Sequence, residues 1–304
     1  MRAAVLAGVD GPFEIRELPD PSEESGKALV RVRAAGVNFA DILVRRGRYP
    51  QMPALPAVLG SEIAGELDDG TRVMAFTSGG GGYAELAAVH RAQMVPLPEG
   101  ATFVEGASFL LTFLTAYIPL TRQVRLRPGS TVLVYAAAGG VGTAAIQVAR
   151  ALGARVVAAA GSTEKLDVCR ELGAEEAYVY DELPEETRAD AVVDPVGGEL
   201  FAGSFARLAP LGAVIAIGSA AGAWPPVEPA RLVGRNVGLQ GFYLGRLMRL
   251  APDVVGTALG EVLALWRDGA VRPLVGAELP LAEVEQAHEL IESRRSVGKV
   301  VLVP

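Results

Sequence analysis

Three hundred and four residues, half of them hydrophobic and 21% charged, exclude a disordered chain and suggest two domains at roughly 150 residues each. A formal net charge of −7 argues against a nucleic-acid or anionic-membrane partner, either of which calls for a basic face. A single cysteine, Cys169, rules out an internal disulfide framework and a four-cysteine zinc site, and the two histidines, His90 and His288, lie far from it in sequence.

The N-terminus has no apolar run of useful length before Asp10 and Pro12. The uncharged stretch 132–149 is interrupted by Gly139, Gly140 and Gly142, so a cytoplasmic chain without a membrane span is expected. Residues 27–34 alternate apolar and charged side chains with period two, the pattern of a half-buried strand. Asp69-Gly70, between apolar runs at 63–67 and 72–76, predicts a hairpin. Pro50, Pro53 and Pro56 break any helix there. The four-glycine run 79–82 is expected as a loop rather than a phosphate cradle, because a strand (83–89) follows it. After Pro128, strands over 131–135, 155–160, 177–180, 191–194 and 213–218 alternate with helices over 143–152, 163–172 and 199–208, which predicts βαβ units on a parallel sheet. Helices over 254–267 and 281–292 precede a closing strand over 299–303, which is expected to join the sheet of the first domain.

The glycine-rich turn is the strongest chemical signal. The strand 131–135 runs into Ala136-Ala137-Ala138-Gly139-Gly140-Val141-Gly142, which opens a helix. Such a turn lets the backbone approach a pyrophosphate whose charge meets free amides at the helix N-terminus. Ala137 stands where the usual pattern has its first glycine. Enzymes that use NAD place Asp or Glu about 20 residues further on, to hold the ribose 2′-hydroxyl. Here that region reads Ala158-Ala159-Ala160-Gly161-Ser162, without an acid, and Lys165 follows, one of three lysines among 28 basic residues. NADPH is therefore the expected cofactor, with Lys165 open to a second reading as a solvated helix end beside Glu164.

The chain resembles the zinc-free quinone oxidoreductase (ζ-crystallin-like) branch of the medium-chain dehydrogenases/reductases. The resemblance spans essentially its whole length. It rests on Ala35-Gly36-Val37-Asn38-Phe39-Ala40-Asp41, Gly47-Arg48-Tyr49-Pro50, Leu59-Gly60-Ser61-Glu62, Leu114-Thr115-Ala116-Tyr117, Ala136 to Gly142, and Gly298-Lys299-Val300-Val301. It implies an α/β protein with a β-rich GroES-like catalytic domain (1–111 and 246–304) and a Rossmann doubly wound parallel-sheet domain (112–245), dimeric through the edge of the Rossmann sheet. It also implies that Asn38 lies near the nicotinamide ribose in an interdomain cleft and that Thr115 approaches the nicotinamide or its phosphate. Ala138, Gly139, Gly140 and Val141 would meet the pyrophosphate. Gly161, Ser162, Lys165 and Tyr180 would surround the 2′-phosphate, with Arg294 as a further cation and Phe242 near the nicotinamide face. Asn38, Thr115 and Tyr180 are each also readable as ordinary hydrogen-bonding core or turn residues.

The positions of the zinc ligands in the alcohol-dehydrogenase branch correspond here to Asn38, Ser61 and about Leu111, a poor donor set, so no metal is expected and alcohol oxidation is disfavoured. The segment 65–73 is shorter than is typical of the family, which affects the rim of the substrate cleft. The expected reaction is hydride transfer from NADPH to a quinone. Reduction of an enone or enoyl thioester is the alternative, and a non-catalytic NADPH-binding role is the reading of another class. Tyr49 is open either as a proton donor, the role proposed for a tyrosine there in related enoyl-thioester reductases, or as a residue that shapes the cleft. Asp41 is expected to cap the helical turn that follows it and Cys169 to be core packing; neither histidine is assigned to catalysis. Asp194, before Pro195-Val196-Gly197, is open between a turn and a cofactor contact.

Overall fold

The structure, a computed structural model, describes residues 1–23 and 25–304 and divides into two units, Met1–Leu110 with Pro273–Pro304 and Leu111–Arg272. In the first unit, β1 (Arg2–Leu6) pairs antiparallel with β2 (Phe13–Glu17) and, on its other edge, with β4 (Ala57–Val58). Between them in sequence, the alternating segment from Lys27 forms a long strand, β3 (Lys27–Val37), and leads into helix α1 (Phe39–Arg45). The Asp69-Gly70 hairpin is present: β5 (Glu62–Glu66) and β6 (Arg72–Phe76) pair antiparallel around it. The four-glycine run is a loop, after which β7 (Leu86–His90) pairs with β3, and β8 (Met94–Pro96) pairs with β6. A short helix, α2 (Phe103–Gly106), begins at a reciprocal cap in which Thr102 and Glu105 each satisfy the other's backbone N–H.

In the second unit, α3 (Leu110–Ile118), which straddles the division, was not signalled by the sequence and is almost wholly buried. From β9 (Thr131–Tyr135) the chain alternates: α4 (Gly140–Ala151), β10 (Arg155–Ala160), α5 (Leu166–Glu171), β11 (Glu176–Val179), β12 (Ala189–Asp194), α6 (Gly198–Ser204), β13 (Leu208–Ala216), α7 (Pro229–Arg235) and β14 (Gly238–Gly241). The six strands are parallel in the order β11-β10-β9-β12-β13-β14, the doubly wound Rossmann arrangement. Its strands are rich in Val and Ala because both faces are covered, and Leu133, Val157, Val192, Phe201, Phe205 and Val214 form one buried cluster. Cys169, on α5, is buried there as core packing.

Two helices, α8 (Leu244–Leu250) and α9 (Pro252–Arg267), complete this unit. The sequence expectation returns the chain to the first domain at residue 246, whereas the compact units divide at 272/273. The reason is local: α9 buries Val255, Ala258, Val262 and Trp266, Glu261 pairs with Arg122, and Gln147 of α4 clamps the Arg272 backbone through both its amide atoms, at 2.9 and 2.8 Å. The chain then adds β15 (Val275–Pro280), α10 (Val284–Glu292) and β16 (Lys299–Val303) to the first unit. β16 pairs parallel with β15 and antiparallel with β3, so the closing strand joins the expected sheet. No helix among the described residues is long and apolar enough to cross a membrane.

The first unit's core, which includes Leu6, Val30, Val37, Ile63, Tyr83 and Val300, also takes in the fully buried ring of His288. That imidazole stands edge-on to Phe13 at 4.8 Å and to Tyr83 at 6.0 Å, and neither of its nitrogens has a hydrogen-bond partner among the described residues. Burial, reinforced by the nearby Arg45 guanidinium, pushes its pKa down to about 3. The group is neutral when folded and protonates near pH 6.5 when unfolded, so its contribution to stability is present above pH 6.5 and is lost progressively as pH falls toward 3. Replacing His288 with Leu should therefore favour the variant by about 3 kcal/mol more at pH 4 than at pH 7 in urea melts. A difference between variant and wild type that is the same at both pH values would show that the imidazole protonates inside the folded chain.

Candidate functional site

In the second unit, β9 lies between β10 and β12, where the order of the sheet reverses and the carboxyl ends of strands leave a crevice. The glycine turn sits there. Its left-handed residue is Ala136 (φ 47°), not Ala137, so the position where the usual dinucleotide-binding pattern has its first glycine carries no positive φ and accepts a buried methyl group. Gly142 is required for close approach: a Cβ there would lie 2.2 Å from the Ala136 carbonyl oxygen. The Gly139 N–H donates to that same oxygen at 2.8 Å. Of the four residues expected at a pyrophosphate, Gly139 thus has its amide already engaged. The N–H groups of Ala138, Gly140 and Val141 donate to no acceptor among the described residues, as the first turn of a helix leaves them. This cradle fits a dinucleotide phosphate.

Tyr180, just after β11, joins the turn to the end of β10. Its hydroxyl accepts the Ala136 N–H at 3.1 Å, its ring stands edge-on to Tyr135, and a Cβ on Gly161 would come within 3.8 Å of it. Ala136, Gly161 and Tyr180 are therefore one place. No acid stands at the end of β10 itself, and Ser162 opens a tight turn that ends at Lys165, at the entry to α5. Partial burial lowers the Lys165 pKa, and a bond to Ser162 lowers that of the exposed Glu164. Asp194, at the end of β12, is buried and its Oδ1 accepts from Val196 and Gly197 N–H at 2.7 and 2.9 Å, which makes it a turn residue; burial raises its pKa. Thr115 is buried on α3, and Phe242 is buried after β14 with its N–H on the Ala216 carbonyl.

In the first unit, three of the motif segments converge. The register places Lys299 of β16 beside Asn38 at the end of β3, and Glu62 of β5 beside Gly36. Lys299 Nζ donates to Asn38 Oδ1 at 2.5 Å and to Glu62 Oε2 at 2.9 Å, and both charged side chains are buried, at 4% and 0% exposure. Gly36 makes room for them, since a Cβ there would sit 2.1 Å from the Ala107 carbonyl oxygen and 2.9 Å from Lys299 Cε. Asp41 does serve the start of a helix, but from inside its first turn rather than ahead of it: its Oδ2 reaches back to accept the Asn38 N–H at 2.9 Å. The same oxygen accepts the buried Tyr83 hydroxyl at 2.9 Å, a contact that spacing did not suggest. Burial pushes the Asp41 pKa up to about 6, against the pull of the Asn38 N–H, the Tyr83 hydroxyl and the Lys299 charge, and burial beside Asp41 raises Tyr83 well above its usual value.

Sequence reasoning names Asn38 and misses Lys299, Glu62 and Tyr83 as its neighbours. A signal was available: a rare lysine in the last family segment and an unexplained acid in another. Tyr49 is half-buried and packs against the first unit's core. Arg294 belongs to the first unit, following α10 with φ 59°, while Gly161, Ser162, Lys165 and Tyr180 belong to the second. The zinc-ligand positions do not suit zinc here. Asn38 already holds an ammonium, and Ser61 and Leu111 offer weak or no donors, so a divalent ion would face Lys299 directly.

The family model described as zinc-binding dehydrogenase matches residues 140–295, and that of the alcohol dehydrogenase GroES-like domain matches residues 24–99. The quinone oxidoreductase of Thermus thermophilus, whose structure was solved alone and with NADPH, is 42% identical and superposes with a TM-score of 0.92, covering 100% of both chains. The quinone oxidoreductase of Pseudomonas aeruginosa is 34% identical over 98% of both chains. The synaptic vesicle membrane protein VAT-1 homolog of Rattus norvegicus is 32% identical over 100% of this chain and 84% of its own length. By these matches and by its two-unit fold, the chain belongs to the quinone oxidoreductase family of the medium-chain dehydrogenases/reductases.

Proposed function

We propose that the protein is an NADPH-dependent quinone reductase. The observation that carries the acceptor class is the donor set around Asn38, where a lysine ammonium stands against the side chain that replaces a metal ligand. An acceptor that takes hydride without a Lewis acid suits such a site; quinones and activated enones qualify, and simple carbonyl compounds do so poorly. The choice of NADPH rests on the acid-free end of β10 with Lys165 close behind it, and the Thermus relative binds the same cofactor.

When bound, NADPH supplies the hydride from its nicotinamide ring. The chain's own work is to hold, orient and exclude water. The unengaged N–H groups of Ala138, Gly140 and Val141, at the positive end of α4, meet the pyrophosphate. Ser162, Lys165 and Tyr180 receive the 2′-phosphate, Lys165 as a point charge rather than a bidentate clamp. Thr115, Phe242 and Asn38 bound the nicotinamide end, and Arg294 adds a cation. One hydride and one proton convert the quinone to the quinol. Tyr49 shapes the acceptor site, a role its packing on the core favours over proton donation.

A homodimer through β14 completes the proposal. This strand is the last in its sheet and, among the described strands, pairs with β13 alone, and Leu239 on it, with Val233 of α7 and Leu211 of β13 (76% and 87% exposed), leaves apolar surface beside an open edge. Pairing of β14 with its copy about a two-fold axis covers both.

The deciding assay is oxidation of NADPH, followed by its absorbance, with a small quinone and with crotonyl-CoA at matched concentrations and NADH as control. Turnover with the quinone at least tenfold above the thioester is expected. The reverse order would move the protein to the enoyl reductases, and binding without turnover would make it a non-catalytic NADPH protein. Lys165→Ala should raise the KM for NADPH about tenfold and leave that for NADH unchanged; equal effects on both would remove Lys165 from the phosphate site. Tyr49→Phe should keep kcat within about threefold, whereas a hundredfold loss would identify the phenol as the proton donor. Light scattering should give twice the 31.6 kDa chain mass, and Leu239→Lys should halve it; a wild-type monomer would refute the edge pairing.

A further inference from the structure

We propose that Lys299 is a positioning residue: held by Glu62, it fixes which way round the Asn38 amide sits, so that Asn38 faces the bound cofactor and acceptor as a hydrogen-bond donor and never as an acceptor. The inference rests on the reading of Asn38 as the nicotinamide-side residue of the first unit.

An ammonium has three N–H donors and no lone pair, so the Asn38 atom that Lys299 Nζ touches at 2.5 Å has to be the carbonyl oxygen. An amide that could otherwise flip is thereby given a single orientation by chemistry. Nδ2 is left on the other side. One of its hydrogens reaches the Gly36 carbonyl at 3.3 Å, a long bond, and the second has no acceptor among the described residues. Asn38 itself is half-buried. The charge-assisted bond on the oxygen also draws electron density from the nitrogen and strengthens the remaining N–H as a donor.

The support beneath Lys299 is rigid. Its three residues lie on three adjacent strands, β16, β3 and β5, in a fixed register. The absent side chain at Gly36 is what lets Lys299 reach across β3 to Glu62. Asn38's backbone is held from the other side by Asp41, which Tyr83 also grips. Both ends of Asn38 are thus tied, the backbone by a carboxylate and the side chain by an ammonium.

The chain contains two asparagines, Asn38 and Asn236, so selective ¹⁵N-asparagine labelling yields two side-chain NH₂ pairs. On titration with NADPH, the Asn38 pair should shift and saturate together with cofactor fluorescence, while Asn236 stays still. Because Lys299→Met alone would strand the Glu62 charge and threaten folding, the working variant is Glu62→Gln with Lys299→Met, a neutral pair in the same space. It should keep its Tm within a few degrees and its KM for NADPH within threefold, lose at least tenfold in kcat, and move the Asn38 NH₂ pair in the absence of cofactor. Asn38→Asp, which keeps the contact to Lys299 but has no N–H to offer, should lose kcat to the same degree in a folded protein. An Asn38 pair that ignores NADPH while fluorescence reports binding overturns the donor role. A double variant with wild-type kcat and an unmoved Asn38 pair overturns the positioning role. If wild-type protein turns over no acceptor, the quinone reading fails by itself, and the two NMR comparisons decide the place of Lys299.

Discussion

A buried ion pair on three neighbouring strands sets the geometry of the first unit. Lys299 and Glu62 are out of water, and removing either partner would leave an uncompensated charge, at a cost of about 3–5 kcal/mol. That cost enforces the register of β16, β3 and β5, because slipping any one by a residue turns a charged side chain to the wrong face. It also explains why the chain must come back at its C-terminal end. The Lys299 ammonium can reach Glu62 only if the last strand lies beside β3. The glycine at position 36, the asparagine at 38 and the acid at 62 then follow from one requirement, that a lysine cross the sheet and find oxygen on both sides.

The second unit solves a different problem with backbone rather than charge. Its turn must bend sharply and still leave N–H groups unsatisfied for an anion. Ala136 takes the left-handed conformation and Gly139 spends its amide on closing the bend, which leaves Ala138, Gly140 and Val141 open. The Tyr180 hydroxyl stabilises the strained alanine by accepting its N–H, and the tyrosine ring meanwhile walls the end of β10. One side chain therefore supports the glycine-rich turn and walls the residues that follow β10. A phenylalanine at this position would keep the wall and leave the Ala136 N–H without its partner.

How much of this can be read from the residues depends on whether a feature is local. The alternation from Lys27, the Asp69-Gly70 turn and the strand–turn–helix after Thr131 are short-range patterns, and each forms where the spacing predicts. The Asp41 cap is legible for the same reason, since it lies three residues from its donor. The ion pair joins residues 237 apart, and the Tyr83 contact joins residues 42 apart, so no periodicity could bring them together. The return point escapes the sequence because α9 looks amphipathic without revealing which unit its apolar face meets; Gln147 and Arg122, more than a hundred residues earlier, decide it. Nothing in the residues flanking His288 announces a ring buried without a hydrogen-bond partner among the described residues.

Asn38 and Lys299 together show how one scaffold can serve two chemistries. In the zinc-dependent branch, ligands at the positions of Asn38, Ser61 and about Leu111 would gather around a cation supplied from solution. Here the cation is covalently part of the chain, and it donates to the Asn38 amide oxygen. It cannot accept a substrate oxygen into an open coordination position as a metal does. On the proposed role of Asn38, a bound molecule would meet the effect of that charge passed through the amide, a directional N–H rather than a Lewis acid. Such a donor can orient a carbonyl-like oxygen and favour charge developing on it, but more weakly than a metal. On the proposed reading, such a donor suits acceptors whose own electronics already favour hydride addition.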